Sequence, residues 1–257
     1  METAPEPWIE ALRSSQVALR ALVKPLNVEE LRRPSYASEW SIAQVLSHLG
    51  SQAEIFGLLF DAGLSGEDPP GQDAFAPIWD AWNARDPQAQ ASGSLAADQA
   101  LVERFESLDH DQKEQFRLNM FGMDLNAAGL ARMRLGEHAI HTWDVAVALD
   151  PTATVAPAAV ELLIDTLDGP AARSGKAEGE ERRVHVATTD PTRQFTLEVG
   201  EKVALEAGPP DGNAPDLQLP AEGFVRLVYG RLDADHAPPV ESPGVELDQL
   251  RRIFPGF

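Results

Sequence analysis

Residue types that commonly bind divalent metals occur at helical spacing in one segment of the chain. Glu137 and His141 are four residues apart, and in a helix this spacing places both side chains on one face, about 6 Å apart at Cβ. A carboxylate and an imidazole placed in this way can bind one metal ion. The same pair also occurs as a surface contact that slightly stabilises a helix, so the pattern alone leaves both interpretations open.

His48 is the candidate for a third ligand. It lies in the middle of an apolar segment with helical periodicity, where a lone histidine is usually a core residue that is hydrogen-bonded to a neighbour. Two histidines and one glutamate with an open fourth position form a known catalytic zinc set, and these ligand types suit Zn²⁺, Ni²⁺ or Fe²⁺. Asp144, three residues after His141, is predicted either to orient a ligand or to pair with Arg132 or Arg134.

Three other histidines are predicted to have no role in a site. His110 and His236 lie among polar residues and are expected at the surface. His185 alternates with Val184 and Val186 in a predicted strand, so its side chain is expected on the opposite face from the two valines.

The composition excludes several classes of chemistry. The 257 residues include no cysteine, which excludes disulfides, thiolate zinc fingers, iron–sulfur clusters and a cysteine nucleophile. Any thiol chemistry therefore needs a thiol from outside. With 21 Lys and Arg against 41 Asp and Glu, the net charge of −20 argues against binding nucleic acid or an anionic membrane. Because neither a signal peptide nor a long apolar run is evident, a cytoplasmic location is expected.

Apolar periodicity predicts a helix bundle over residues 1–150. The predicted helices cover residues 8–24, 41–62, 95–108 and 125–149, and residues 63–95 form a long connection with a short helix around Trp79 and Trp82. Ser41 is a candidate N-cap for the second of these helices.

The pattern changes after residue 150, where short alternating runs predict strands. Strands are expected at 183–188, 194–199, 202–206 and 216–219, helices at 155–167, 221–229 and 245–254, and a polar loop at 169–181. Residues 151–257 are therefore predicted to form a small α+β domain, with helices packed on an antiparallel sheet.

Several segments resemble the mycothiol-dependent maleylpyruvate isomerase family. They are the run EWSIAQVLSHL over 39–49, the spacing Glu137-xxx-His141-xx-Asp144, and LVYGR over 227–231. The resemblance covers nearly the whole chain. It implies an α+β protein with a DinB-like, metal-binding four-helix bundle over 1–150 and a sterol-carrier-like domain over 151–257.

The resemblance also implies roles for individual residues. His48, Glu137 and His141 are the positions that bind a divalent metal, usually zinc. Arg231, in the Gly-Arg motif, matches an active-site arginine that would anchor a carboxylate of the substrate or of the cofactor, and Arg226 is the alternative. The chain differs from the family at Glu39, where a glycine commonly precedes the tryptophan, and its long connection over 63–95 is also expected to differ.

In such an enzyme, a zinc-bound mycothiol thiolate attacks a small electrophile. The implied reaction is S-transfer, or an isomerisation in which the thiol adds to a cis double bond and leaves after rotation. Two other functions remain open at this stage. One is a non-catalytic binding module with the same fold, and the other is a metal-dependent hydrolase in which water replaces the thiol. Neither the electrophile nor the oligomeric state follows from the sequence.

Overall fold

The computed structural model describes residues 4–37, 39–120, 122–177, 181–208 and 214–256. The chain divides into two compact units, Met1–Thr154 and Val155–Phe257.

The first unit is a helix bundle that carries a small hairpin. Its helices are α1 (Glu6–Val23), α2 (Val28–Leu31), α3 (Ile42–Ser65), α4 (Ala76–Asn83), α5 (Pro87–Glu106), α6 (His110–Gln115) and α7 (Ala127–Leu149), and its strands are β1 (Leu118–Met120) and β2 (Met123–Leu125). Helix α3 packs against α5 and α7, and α1 packs against the same two helices. The predicted bundle is therefore confirmed. Among the described residues, no helix is both long and apolar enough to cross a membrane.

Local capping determines where the two longest helices begin. The Ser41 side chain accepts a hydrogen bond from the Gln44 backbone, and the Gln44 side chain accepts one from the Ser41 backbone. This reciprocal capping box starts α3, as the sequence predicted for Ser41. Asn126 caps α7 in a similar way by accepting a hydrogen bond from the Gly129 amide.

Helix α5 starts eight residues earlier than the predicted position, residue 95. Asp86 caps it by accepting a hydrogen bond from the Ala89 amide, and Pro87 occupies its first turn, where a missing N–H has no consequence. The prediction was wrong because the buried side chains among its first twelve residues are small or polar. They are Gln90, Ala91, Ser94 and Asp98. Helix α6 and the β1–β2 hairpin were also missed, since both are too short to show periodicity.

The short helix predicted around the tryptophans is confirmed as α4. Its Trp82 is almost fully buried, whereas Trp79 is half-exposed. The Trp82 indole lies against two glycines: a Cβ on Gly50 of α3 would come within 2.2 Å of the ring, and one on Gly93 of α5 within 3.2 Å. Glycine at both positions thus allows the indole to anchor the long connection onto α3 and α5.

A cluster of polar side chains, called the buried polar cluster below, lies inside the bundle. Asp98 of α5 pairs with Arg134 of α7, and each side chain is only about 1% exposed. His138 of α7 is fully buried beside them, with Nε2 3.3 Å from Asp98 Oδ2 and Nδ1 2.8 Å from the Ser15 hydroxyl of α1. Three of the four long helices therefore contribute side chains to one polar cluster, and Arg134 also donates a hydrogen bond to the Leu49 carbonyl of the fourth, α3.

The second unit is an α+β structure with a mixed sheet. Its elements are α8 (Pro157–Leu163), α9 (Asp168–Ser174), β3 (Arg182–Thr189), β4 (Arg193–Val199), β5 (Val203–Ala207), β6 (Leu217–Pro220), α10 (Ala221–Val228) and α11 (Leu247–Ile253). The strand order is β5-β4-β3-β6. The first three strands are antiparallel, as expected, and β6 pairs parallel to β3 with Val186 opposite Leu217.

The α+β class is confirmed, with two local corrections. The first is the parallel pairing of β6, which the predicted antiparallel sheet did not include, and the second concerns the segment after residue 167. Helix α9 occupies the start of the segment predicted as a loop over 169–181, and residues 178–180 of that segment lie outside the described residues. The helix was hidden because its Gly, Pro and Ser content lowers the intrinsic helix propensity. It forms through burial of Pro170, Ala171 and Ser174.

We expect Asp98→Asn to lower the free energy of unfolding by about 3–5 kcal/mol at neutral pH, because it leaves the Arg134 charge buried without its counterion. Burial alone would raise the pKa of Asp98, but Arg134 and His138 lower it below its ordinary value. The ionised carboxylate therefore stabilises the fold above about pH 4, and this contribution is lost as the pH falls through the folded-state pKa.

Urea unfolding of both proteins between pH 3 and pH 7 measures this effect. The matched control is Asp61→Asn, which disrupts an exposed pair with Arg104 and should change the stability by less than about 1 kcal/mol. An equal loss in the two variants would contradict the role given to the buried charge.

Candidate metal centre

The three predicted ligands converge between α3 and α7. His48 is at the end of the second turn of α3, and Glu137 and His141 are on one face of α7. One ligand atom from each lies within 4.8 Å of the other two. Among the residues that the structure describes, this is the one cluster of three or more potential ligands that is tight enough for a single ion.

The distances suit a tetrahedral ion. Glu137 Oε2 is 3.4 Å from His48 Nε2 and 3.8 Å from His141 Nε2. Atoms bound about 2.1 Å from zinc at tetrahedral angles would be separated by about 3.4 Å. Two imidazoles and one carboxylate therefore fit a divalent cation with little rearrangement. The Glu137 side chain is 39% exposed, so solvent reaches the cluster on this side.

Asp144 orients His141. Its Oδ2 is 2.8 Å from His141 Nδ1, and the carboxylate is fully buried. A carboxylate accepts hydrogen bonds, so the proton lies on Nδ1 and the lone pair of Nε2 is directed towards the cluster. The contact with His141 is the one expected of a residue that orients a ligand, and Arg134, one of the two arginines predicted as a partner of Asp144, pairs with Asp98.

The electrostatics favour the protonation states that bind a metal. Burial lowers the pKa of His48 below its ordinary value, although the adjacent Glu137 opposes the shift. Burial alone would raise the pKa of Glu137, but the hydrogen bond with His48 and the nearby basic groups lower it to about 2. At neutral pH the pair is therefore a neutral imidazole and a carboxylate, the forms required of metal ligands.

Trp40 is a component of the site that the residue types alone did not identify. Its ring centroid is 5.4 Å from that of His48 and 6.5 Å from that of His141, with which it is nearly parallel. The indole is 37% exposed, so it forms a partly open aromatic wall beside the ligands. Its position in the sequence could have identified it. Trp40 immediately precedes the N-cap Ser41, so it lies next to the first turns of α3, where His48 is.

The other histidines differ in their surroundings. His110 is exposed at the start of α6, as predicted, whereas His236 is half-buried and contacts the Asp233 carboxylate at 2.8 Å. His185 is 3% exposed within β3. His138, which the sequence did not single out, belongs to the buried polar cluster rather than to the ligand set.

Both candidate arginines lie at the end of α10 in the second unit. Arg226 is 3% exposed and forms a bidentate pair with Glu222, while it also donates to the backbone carbonyls of Arg231 and His236. These contacts give Arg226 a structural role within the unit.

Arg231 follows Gly230, which has a φ of 69° and packs against the backbone of Gly256. The Arg231 side chain is mostly buried, with the residue 8% exposed, and Arg231 Nη1 donates a hydrogen bond to the Tyr229 carbonyl. The contact of Arg231 with a substrate or cofactor stays a prediction.

The fold and the clustered side chains define the class: a helix bundle with a candidate divalent-metal centre, followed by an α+β unit. The family described as the mycothiol maleylpyruvate isomerase N-terminal domain matches residues 12–146, more than half of the chain. The chain therefore belongs to this family.

Solved structures agree on the fold. The crystal structure of the mycothiol-dependent maleylpyruvate isomerase matches with a TM-score of 0.69 and 14% sequence identity, over 95% of this chain and 96% of that one. A point mutant of the isomerase matches with the same values. No curated protein matches the sequence. At this identity, the structural likeness establishes a shared fold over nearly the whole chain.

We expect His48→Ala to reduce bound metal from near one equivalent to background, because two ligands on one helix do not hold an ion as three do. The double variant Glu137→Ala with His141→Ala should behave in the same way. Elemental analysis of purified protein measures the content, and circular dichroism should show that the helices persist. His110→Ala serves as the control, and full occupancy in His48→Ala would refute the ligand assignment.

Asp144→Asn should weaken metal binding by about 10–100-fold without abolishing it, since an amide orients the His141 ring less strongly than a carboxylate. Competition with a chromophoric chelator gives the affinity. An unchanged dissociation constant would show that Asp144 does not act through His141.

Proposed function

We propose that this protein is a divalent-metal-dependent enzyme that uses mycothiol, as its thiolate, for S-transfer to a small electrophile or for thiol-assisted isomerisation of it. The observation that carries the proposal is the convergence of His48, Glu137 and His141 within 4.8 Å in a member of this family. The chain contributes no sulfur nucleophile, because it has no cysteine. An external thiol would supply the sulfur that the chain lacks, and the metal held by the three side chains would bind it.

Three residues of α3 and α7 would hold the metal, for which we propose Zn²⁺. When bound, the ion would lower the pKa of a coordinated thiol, so that the thiol is deprotonated at neutral pH. Glu137 enters this arrangement already ionised, and Asp144 keeps the His141 ring in the required tautomer. These residues thus present a preformed ligand set with no proton to remove from the carboxylate.

Other parts of the chain would handle the reacting molecules. Trp40 covers one side of the histidine rings and would contact an apolar portion of the thiol or the electrophile. Arg231 is proposed as the anchor for a carboxylate of the substrate or the cofactor, through paired hydrogen bonds from its guanidinium. This role rests on the family resemblance of the Gly230–Arg231 pair. A cytoplasmic location stays a prediction of the sequence.

Mycothiol titration into the zinc-loaded and metal-free proteins tests the thiol requirement. We expect calorimetric binding only to the loaded form, and turnover of maleylpyruvate or another thiol-reactive electrophile only with added thiol. Turnover without thiol would favour a hydrolase. Absence of both metal and mycothiol binding would favour a non-catalytic module.

Arg231→Ala should lower kcat/KM for a carboxylate-bearing electrophile by about 10²-fold, in line with the loss of a charge-assisted pair of hydrogen bonds. Steady-state kinetics of the zinc-loaded enzyme measure this. Arg183→Ala, in the exposed ion pair with Glu198 on β3 and β4, is the matched control. An Arg231→Ala enzyme with unchanged kinetics would exclude the anchoring role.

A further inference from the structure

The buried polar cluster of the bundle adjoins both ligand-bearing helices. Arg134 of α7 donates one hydrogen bond to Asp98 and another, at 3.0 Å, to the backbone carbonyl of Leu49 in α3. Leu49 directly follows His48, and Arg134 precedes Glu137 by three residues. One guanidinium therefore joins the two helices within one turn of a candidate ligand on each side.

The same cluster determines the rotation of α7 about its axis. His138 is next to Glu137, and consecutive helical residues point about 100° apart. His138 Nδ1 is hydrogen-bonded to Ser15, and Nε2 lies 3.3 Å from the Asp98 carboxylate without a hydrogen bond. The contact with Ser15 therefore sets the direction of Glu137 as well. A rotation of 10° would move a side-chain tip by about 1 Å at the outer radius of a helix. A functional site tolerates only about half of that displacement.

Stability alone does not account for this group. A buried ion pair often contributes no more than apolar residues of the same volume. Among the described residues, several buried polar atoms in and around the cluster also lack a hydrogen-bond partner, which makes the core more costly; they include Arg134 Nη1, Asp98 Oδ2, His138 Nε2, Gln16 Nε2 and Ser94 Oγ. Because apolar replacements of buried ion pairs are often neutral or stabilising, we look for the role of the cluster in the geometry that it imposes.

We propose that Arg134, together with Asp98, is a positioning residue that holds His48 of α3 in register with Glu137 and His141 of α7. The inference rests on the proposed metal centre. Neither side chain is a ligand. Arg134 acts through the Leu49 carbonyl and through the orientation of α7.

The test replaces the whole pair. In Asp98→Leu with Arg134→Met, no charge is left buried and the net charge is unchanged, so the unfolding midpoint should be equal or higher. Affinity for Zn²⁺ should nevertheless fall by about 10–100-fold, as measured by chelator competition. The visible absorption of the Co²⁺-loaded variant should also differ from that of the wild type, because it reports the ligand geometry directly.

A matched control contacts the same helix, α3. Arg104 of α5 donates to the Gly57 carbonyl of α3 and pairs with Asp61, which is the same kind of contact farther along α3 from His48. Asp61→Asn with Arg104→Met should leave both the Zn²⁺ affinity and the Co²⁺ spectrum unchanged. Arg134→Lys is a second, milder variant, since it keeps the charge but replaces the planar guanidinium, whose Nη2 makes both contacts, by a freely rotating ammonium. It should lose affinity to a smaller extent.

The outcomes separate the two proposals. Zn²⁺ binding in the wild type that is retained at full affinity in a folded Asp98→Leu/Arg134→Met or Arg134→Lys variant would overturn the positioning role alone. Absence of Zn²⁺ binding in the wild type would overturn the metal centre, and the positioning role with it. An equal loss of affinity in the Arg104 control would also overturn the specific role of Arg134.

Discussion

The packing of α3 against α7 is the constraint on which the candidate site depends. Two potential ligands lie on α7, but an i, i+4 pair on one helix presents only two ligand atoms. The third comes from a helix 89 residues earlier in the chain. The bundle must therefore set the spacing, the register and the rotation of both helices to within a fraction of an ångström before the three side chains form one site.

The core that surrounds this contact combines two kinds of packing. Apolar side chains of α3 and its neighbours form a hydrophobic cluster that includes Leu46, Leu49 and Val145, and burial of this kind supplies most of the stability of a fold. Hydrophobic contact is non-directional, however, and tolerates small slides. Hydrogen bonds from a planar guanidinium have a fixed geometry. The apolar core thus contributes most of the stability, and the polar cluster around Arg134 fixes the relative orientation of the helices.

The composition limits which reactive groups the protein can contribute to the proposed reaction. A chain without cysteine can contribute imidazole and carboxylate ligands but no thiolate. The proposed reaction needs sulfur, so the sulfur must come from a diffusible thiol. The strongly acidic charge has less explanatory value. It argues against nucleic acid, but an anionic substrate would still need a local cation such as the proposed Arg231.

The sequence by itself determined those features that depend on neighbouring residues. The capping box at Ser41, the start of α7 and the shared face of Glu137 and His141 all follow from short-range spacing, and the family motif pointed to His48. The sequence did not show that α5 begins at Pro87, that Trp40 lies beside both histidines, or that Asp98, Arg134 and His138 share one cluster. The start of α5 was missed although its signal is local, an Asp86 cap followed by Pro87, because the first buried side chains are small or polar and show no apolar periodicity. Only the tertiary structure decided the other two points, because they depend on contacts between segments far apart in the chain, whose distances no local periodicity encodes.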